Sequence, residues 1–258
     1  MIRGLLSMLL LSGLAIGCGR NGSPNAAEIE PGLSGSVTVA AAASLTEAFE
    51  QIGEEFTAAN PAARVQFNFD ASTTLSQQVI DGAPADALAS ADEANMTKVV
   101  DAGKVEAEPV IIATNSLMIV VKPGNPFGVR ALEDLKRVDV VSLCGRTVPC
   151  GRLAQESLGK AGVSIPAETI TRGQNAKTTI AAVGEGDADA GVVYATDVQA
   201  AGVAVEGIAI PTEHNSVATY PMAVLTDASN PALSRTFVDF VLGERGQAIL
   251  RAAGYSPP

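Results

Sequence analysis

Two short turns carry the residues best suited to chemistry. Ala41-Ala42-Ala43-Ser44-Leu45 and Asp70-Ala71-Ser72-Thr73-Thr74 each lead from a strand-like stretch into a helical pattern. A helix start leaves unpaired backbone N–H groups and the positive end of the helix dipole. A hydroxyl there donates one more hydrogen bond, and the small residues before Ser44 let the backbone approach a ligand closely. Together these features suit an oxyanion. A plainer reading stands beside it. Ser44-x-x-Glu47 is a capping box, and a serine at a helix start commonly does no more than cap it. The two are compatible, because a hydroxyl accepts from the helix and donates outward. Glu47 counts against an anion unless it points away.

The second half of the chain repeats the theme. Pro149-Cys150-Gly151 opens one helix and Gln174-Asn175-Ala176 opens another. Tyr194 ends a strand, where its hydroxyl either faces a cleft or is satisfied within a half-buried core. Arg152, Arg172 and Lys177 read as solvated helix charges, any one of which can add field without touching a ligand. The single histidine, His214, excludes by count a multi-histidine zinc site or a catalytic His pair. A hydrolase built on Ser44 or Ser72 would therefore lack a plausible base. Cys144 and Cys150 are separated by five residues that include Gly145 and Pro149. They are expected to form a disulfide if the chain is exported, the alternative being two buried thiols.

These residues need a scaffold of strands ending in helix starts, and the periodicity supplies one. Residues 36–41 alternate as a strand, and Leu45, Ala48, Phe49, Ile52 and Phe56 follow at helical spacing. Residues 65–69 and 86–90 read as strands, with helices from Ser72 and from Asp92 between and after them. The second set has helices at 132–137, 152–161 and 177–184, with strands at 138–143, near 169, at 190–194 and at 205–210. Helices at 231–242 and 244–252 close the chain. This is an α/β rhythm of parallel sheets flanked by helices. It is split by strong strands at 117–121 and 217–225, which predict two crossings between two lobes: 36–116 with 217–258, and 117–216.

Composition narrows the function. With 47% apolar and 17% charged residues, 258 residues build a sizeable core, which excludes a disordered or collagen-like chain. A net charge of −11 lacks the footprint of a nucleic-acid partner. Residues 1–17 read as a signal peptide, with Arg3 ahead of an apolar run too short to span a membrane comfortably. Leu14-Ala15-Ile16-Gly17-Cys18 resembles a bacterial lipobox, which would make Cys18 the lipid-bearing first mature residue. The alternative is an ordinary signal peptide or a short anchor. Residues 18–35 then read as a flexible, lipid-anchored tether. The expected location is extracytoplasmic, on the cell membrane.

A longer set of motifs carries a resemblance. Val39-Ala40-Ala41-Ala42-Ala43-Ser44-Leu45-Thr46, Ser72-Thr73-Thr74-Leu75, Gly82-Ala83-Pro84-Ala85-Asp86 and Ser90-Ala91-Asp92 occur in order. Asn115-Ser116-Leu117, Pro149-Cys150-Gly151-Arg152, Gly191-Val192-Val193-Tyr194, Tyr220-Pro221-Met222-Ala223-Val224 and Gly246-Gln247-Ala248 follow. This series resembles the periplasmic molybdate-binding proteins of ABC importers, from about residue 36 to 255. The resemblance implies a two-lobe type II periplasmic-binding-protein fold, each lobe a mostly parallel sheet flanked by helices, joined by two crossing strands. It implies a binding protein and not an enzyme, with no cofactor. Molybdate, or tungstate as its mimic, would sit between the lobes and pass to an ABC permease. The donors it implies are the Ser44 and Ser72 hydroxyls, the Cys150 and Ala176 backbone amides, and the Tyr194 hydroxyl. The metal would be reached through its oxygens, with no direct ligands. Cys150 departs from the family's usual Ala, and Ala176 from a larger apolar residue. The protein is expected to be a monomer. A receptor for sulfate or thiosulfate is the alternative of the same class. A ligand-sensing regulatory domain is argued against by the export signal and the lack of a DNA-binding head.

Overall fold

A computed structural model describes residues 33–258. The expected signal segment, Cys18 and the tether as far as residue 32 lie outside the described residues. The tether's expected last residue, Gly35, is already the first of β1 (Gly35–Ala42).

β1 pairs in parallel with β2 (Ala63–Asp70) and β3 (Ala87–Ala89). The intervening helices are α1 (Thr46–Ala59) and α2 (Ser72–Ile80), and α3 (Glu93–Asp101) follows β3. α1 buries Ala48, Phe49, Ile52 and Phe56 and leaves Glu47, Glu50, Glu54 and Glu55 exposed, as its apolar spacing requires. Phe49 and Phe56 meet Phe237 edge-on at 6.4 and 5.2 Å, which seats the late helix α7 (Pro231–Leu242) on this half of the sheet. α8 (Glu244–Ala252) closes the chain.

The long strand β4 (Val110–Val121) belongs to both halves. Its residues 110–116 pair with β9 (Val217–Val224), and its residues 117–121 pair with β7 (Ala190–Tyr194) and β8 (Glu206–Ala209). Beyond β7 lie β5 (Val141–Cys144) and β6 (Ile170–Gly173), again in parallel. The sheet order is β2-β1-β3-β9-β4-β7-β5-β6, with β8 on β4. Helices α4 (Pro149–Lys160), α5 (Ala176–Gly184) and α6 (Ala195–Ala201) flank the second half. The fold is a two-lobe α/β fold in which mostly parallel strands deliver their carboxyl ends to helix starts.

Some elements differ from the sequence expectation. Residues Leu132–Arg137 form a 3-10 helix, because only Leu132 and Leu135, three apart, are buried. α6 has no apolar period to betray it, since its buried residues are Thr196 and Asp197. β4 starts seven residues before Leu117, in a mixed stretch held by its antiparallel pairing with β9.

Candidate functional site

The five residues singled out as donors come together. Ser44 lies in a 3-10 turn, Ala43–Leu45, directly after β1. Ser72 is the first residue of α2, Cys150 the second of α4 and Ala176 the first of α5. Tyr194 ends β7. All five line one cavity of about 20 Å³, together with Ala42, Ala71, Ala91, Pro149 and Asn175. On the same measure 10–15 Å³ holds a water, so the space suits a small solute. Each of the five is at most 6% exposed. The alanines at the turn tips leave no bulk between backbone and cavity.

The hydroxyls do not cap. The 3-10 turn shifts the start of α1 to Thr46, so the expected Ser44–Glu47 capping box does not form. Glu47 turns instead to Lys177, 2.6 Å away, which removes the objection its charge raised. Ser44 Oγ lies 3.0 Å from the hydroxyl of Tyr220, which also accepts from Asn115 Nδ2 at 3.4 Å. With Tyr220 accepting from Asn115 and donating to Ser44, the Ser44 proton is left for the cavity. Ser72 Oγ accepts from the Ala91 N–H at 2.9 Å, which likewise frees its proton. The Tyr194 hydroxyl is buried and has no hydrogen-bond partner among the described residues. Burial, with Tyr220 and Asp197 nearby, holds this phenol well above its ordinary pKa, so it stays protonated and a donor.

Among the described residues no lysine or arginine lines the cavity. The cations flagged in the sequence are engaged elsewhere. Arg152 pairs with Asp92 and donates to the Thr147 carbonyl. Arg172 donates to the Cys144 carbonyl at 2.9 Å. Lys177 serves Glu47 and lies 3.8 Å from the buried Asp197. Burial pushes the Asp197 carboxyl up to about 6, against the opposing pull of Lys177 and of the Tyr194 N–H that it accepts. The one charged lining residue among those described is Asp70, whose Oδ1 accepts from the Ala71 N–H at 2.7 Å and from Asn175 Nδ2 at 3.4 Å. Around the rim, Arg152–Asp92, Thr73 Oγ1 to the Thr147 carbonyl (3.0 Å), Asn175–Asp70 and Lys177–Glu47 join the two halves of the sheet. Among the described residues no cluster of His, Cys, Asp and Glu is arranged to hold a metal, and no helix is long and apolar enough to cross a membrane.

Sequence reasoning missed the support behind Ser44. The chain has three tyrosines, and Tyr194, Tyr220 and Tyr255 pack edge to face at 6.0 and 5.3 Å. The Tyr255 hydroxyl donates to the Ser44 carbonyl at 2.6 Å. The rarity of tyrosine in the chain was the available signal. In the structure Cys144 and Cys150 are joined by a disulfide, with their Cα atoms 5.8 Å apart.

The model of bacterial extracellular solute-binding proteins matches residues 37–256. The chain belongs to this family. Membership makes it a solute-binding protein and not an enzyme. It is 38% identical over 257 residues to the molybdate-binding protein ModA of Mycobacterium tuberculosis, covering 99% of this chain and 97% of the relative. It is 26% identical to the putative ABC transporter substrate-binding lipoprotein YvgL of Bacillus subtilis, covering 94% and 93%. Among solved structures, the periplasmic molybdate-binding protein of Azotobacter vinelandii superposes with a TM-score of 0.76 at 20% identity, over 86% of this chain and 99% of that one. The solute-binding protein thus shares its two-lobe fold with a protein of known structure.

Proposed function

We propose that this solute-binding protein captures molybdate, with tungstate as a close mimic, and hands it to the permease of an ABC importer. The anion is held by the hydroxyls of Ser44, Ser72 and Tyr194 and by the backbone N–H groups of Cys150 and Ala176. The observation that carries this reading is the buried Tyr194 hydroxyl, unpartnered among the described residues, at a cavity where those residues supply helix starts and no cation. A buried donor without an acceptor is costly, and a bound oxyanion supplies the acceptor. The names of the relatives support the choice of oxyanion.

In this mechanism partial charges, and not a salt bridge, balance the dianion. The net charge of −11 opposes long-range capture, so local dipoles must outweigh the global field, which salt screens over about 8 Å. The lobes are residues 36–116 with 217–258, and residues 117–216. The switch of β4 partners between Ser116 and Leu117 supports that division. Closure excludes water and strengthens each hydrogen bond. Opening at the permease separates donors of the two lobes and releases the ligand. The protein acts as a monomer, tethered to the membrane through a lipid on Cys18.

Thermal-shift screening of the delipidated mature chain against molybdate, tungstate, sulfate and phosphate tests the reading. Molybdate and tungstate should raise Tm by several degrees and the smaller oxyanions little, since fixed donors sit too far from them. A larger shift with sulfate would move the assignment to a sulfate receptor.

A further inference from the structure

We infer that Cys144 is a positioning residue: through its bond to Cys150 and its contact with Thr179 it fixes both backbone donors of the second half before any anion arrives. The inference rests on the oxyanion-capture reading and deepens it. Cys144 is the last residue of β5 and Cys150 the second of α4, so the bond ties the strand end to the helix start whose amide lines the cavity. Both cysteines are at most 3% exposed. The Cys144 sulfur also lies 3.3 Å from the hydroxyl of Thr179, on the first turn of α5. That hydroxyl is 2.8 Å from the carbonyl of Asn175, the residue that caps α5 and precedes the second amide donor, Ala176. One sulfur therefore touches both helix starts.

The surroundings leave little slack. The Gly145 N–H donates to the Gly173 carbonyl at 2.8 Å, which joins the disulfide loop to the end of β6, two residues before Asn175. Gly151 packs so closely on this loop that a Cβ there would lie 1.9 Å from the Gly145 carbonyl oxygen. The sequence separation of six closes only a small ring. A ring that small restricts the unfolded chain less than a long one does, so the bond's main effect is local. The hydroxyls of the first half, Ser44 and Ser72, are oriented by hydrogen bonds to Tyr220 and to the Ala91 N–H.

Affinity should accordingly depend on the redox state of this bond. A dithiol reductant attacks one sulfur, the S–S bond breaks, the dithiol closes to its own disulfide, and two protons pass to the protein sulfurs. The two amides then lose their fixed spacing, and the anion must order them on binding.

The test uses the mature chain, molybdate titration calorimetry, and backbone order parameters measured without ligand. The C144S/C150S variant keeps the amide at position 150. It should bind about tenfold more weakly, and order parameters at positions 150 and 176 should fall together while those at 44 and 72 hold. Thr179→Val should cost about threefold, with a clearly less than additive effect on top of C144S/C150S. Ser44→Ala should add its full effect to that variant. Wild-type affinity in C144S/C150S, unchanged order parameters at 150 and 176, or full additivity with Thr179→Val would each overturn the inference. If C144S/C150S does not fold, the dithiol-reduced wild type and Thr179→Val decide by the same readouts. A wild type that ignores molybdate contradicts the functional reading instead, and the order parameters, which need no ligand, still decide this one.

Discussion

In the first half of the molecule the donors facing the cavity are side-chain hydroxyls, each set by a partner distant in sequence. Tyr220, 176 residues away, sits behind Ser44, and the Ala91 amide sits behind Ser72. In the second half two of the three proposed donors are backbone amides at helix starts, and the third, the Tyr194 hydroxyl, has no hydrogen-bond partner among the described residues. The first half adjusts its donors through relays, so their strength depends on residues outside the cavity. The second half depends on where the backbone lies, so a side chain such as that of Cys150 acts only through the placement of its amide. On the proposed reading, that difference explains how a cysteine can stand at 150 without spoiling an anion site, since the amide survives the change.

Substitutions on each side sharpen the contrast. Tyr194→Phe should have the largest effect, a loss of about 30–100-fold in molybdate affinity by calorimetry, because a hydrogen bond to a charged group is worth about 1.5–3 kcal/mol and no neighbour replaces it. Ser44→Ala should cost about tenfold, since four donors remain. Tyr220→Phe should cost about threefold: Ser44 stays, but the proton it offers the cavity is no longer directed from behind. Equal losses for Tyr194→Phe and Tyr220→Phe would break the distinction between donor and relay.

The smallest expected effect concerns stability. Asp197 is buried and its carboxyl is pushed up to about 6, above the ordinary carboxylate range. The folded chain therefore binds this proton more tightly than the unfolded one. Its contribution favours the fold below the ordinary carboxylate range and is lost as pH rises through about 6. Asp197→Asn, which can still accept from the Tyr194 N–H, should gain a few degrees in Tm relative to wild type between pH 4 and pH 7. A gap that stays constant with pH would contradict this account of Asp197.

Much of the scaffold was legible because its signals are local. The period of α1, the alternation of β2 and the small residues before Ser44 each placed an element without tertiary information. What escaped depends on contacts between distant segments. The 3-10 turn at Ala43–Leu45 moved Ser44 off the cap position, and Glu47 found Lys177, 130 residues on, instead of its own helix. No local pattern predicts either partner. α6 escaped for a related reason: its buried face is polar, with Thr196 accepting from Asn115 and Asp197 from the Tyr194 N–H. From the residues themselves, the proposed donors Cys150 and Ala176 were legible only as helix starts, since a backbone amide leaves no mark in side-chain identity.

The central claim is that uncharged groups from both halves hold a doubly charged anion. The most direct test is a crystal grown with molybdate and measured at the molybdenum absorption edge. The account predicts one anomalous peak in the cavity, with oxygens within hydrogen-bonding distance of the Ser44, Ser72 and Tyr194 hydroxyls and the Cys150 and Ala176 amides. A peak beside Arg152 or Arg172, or none between the helix starts, would contradict it.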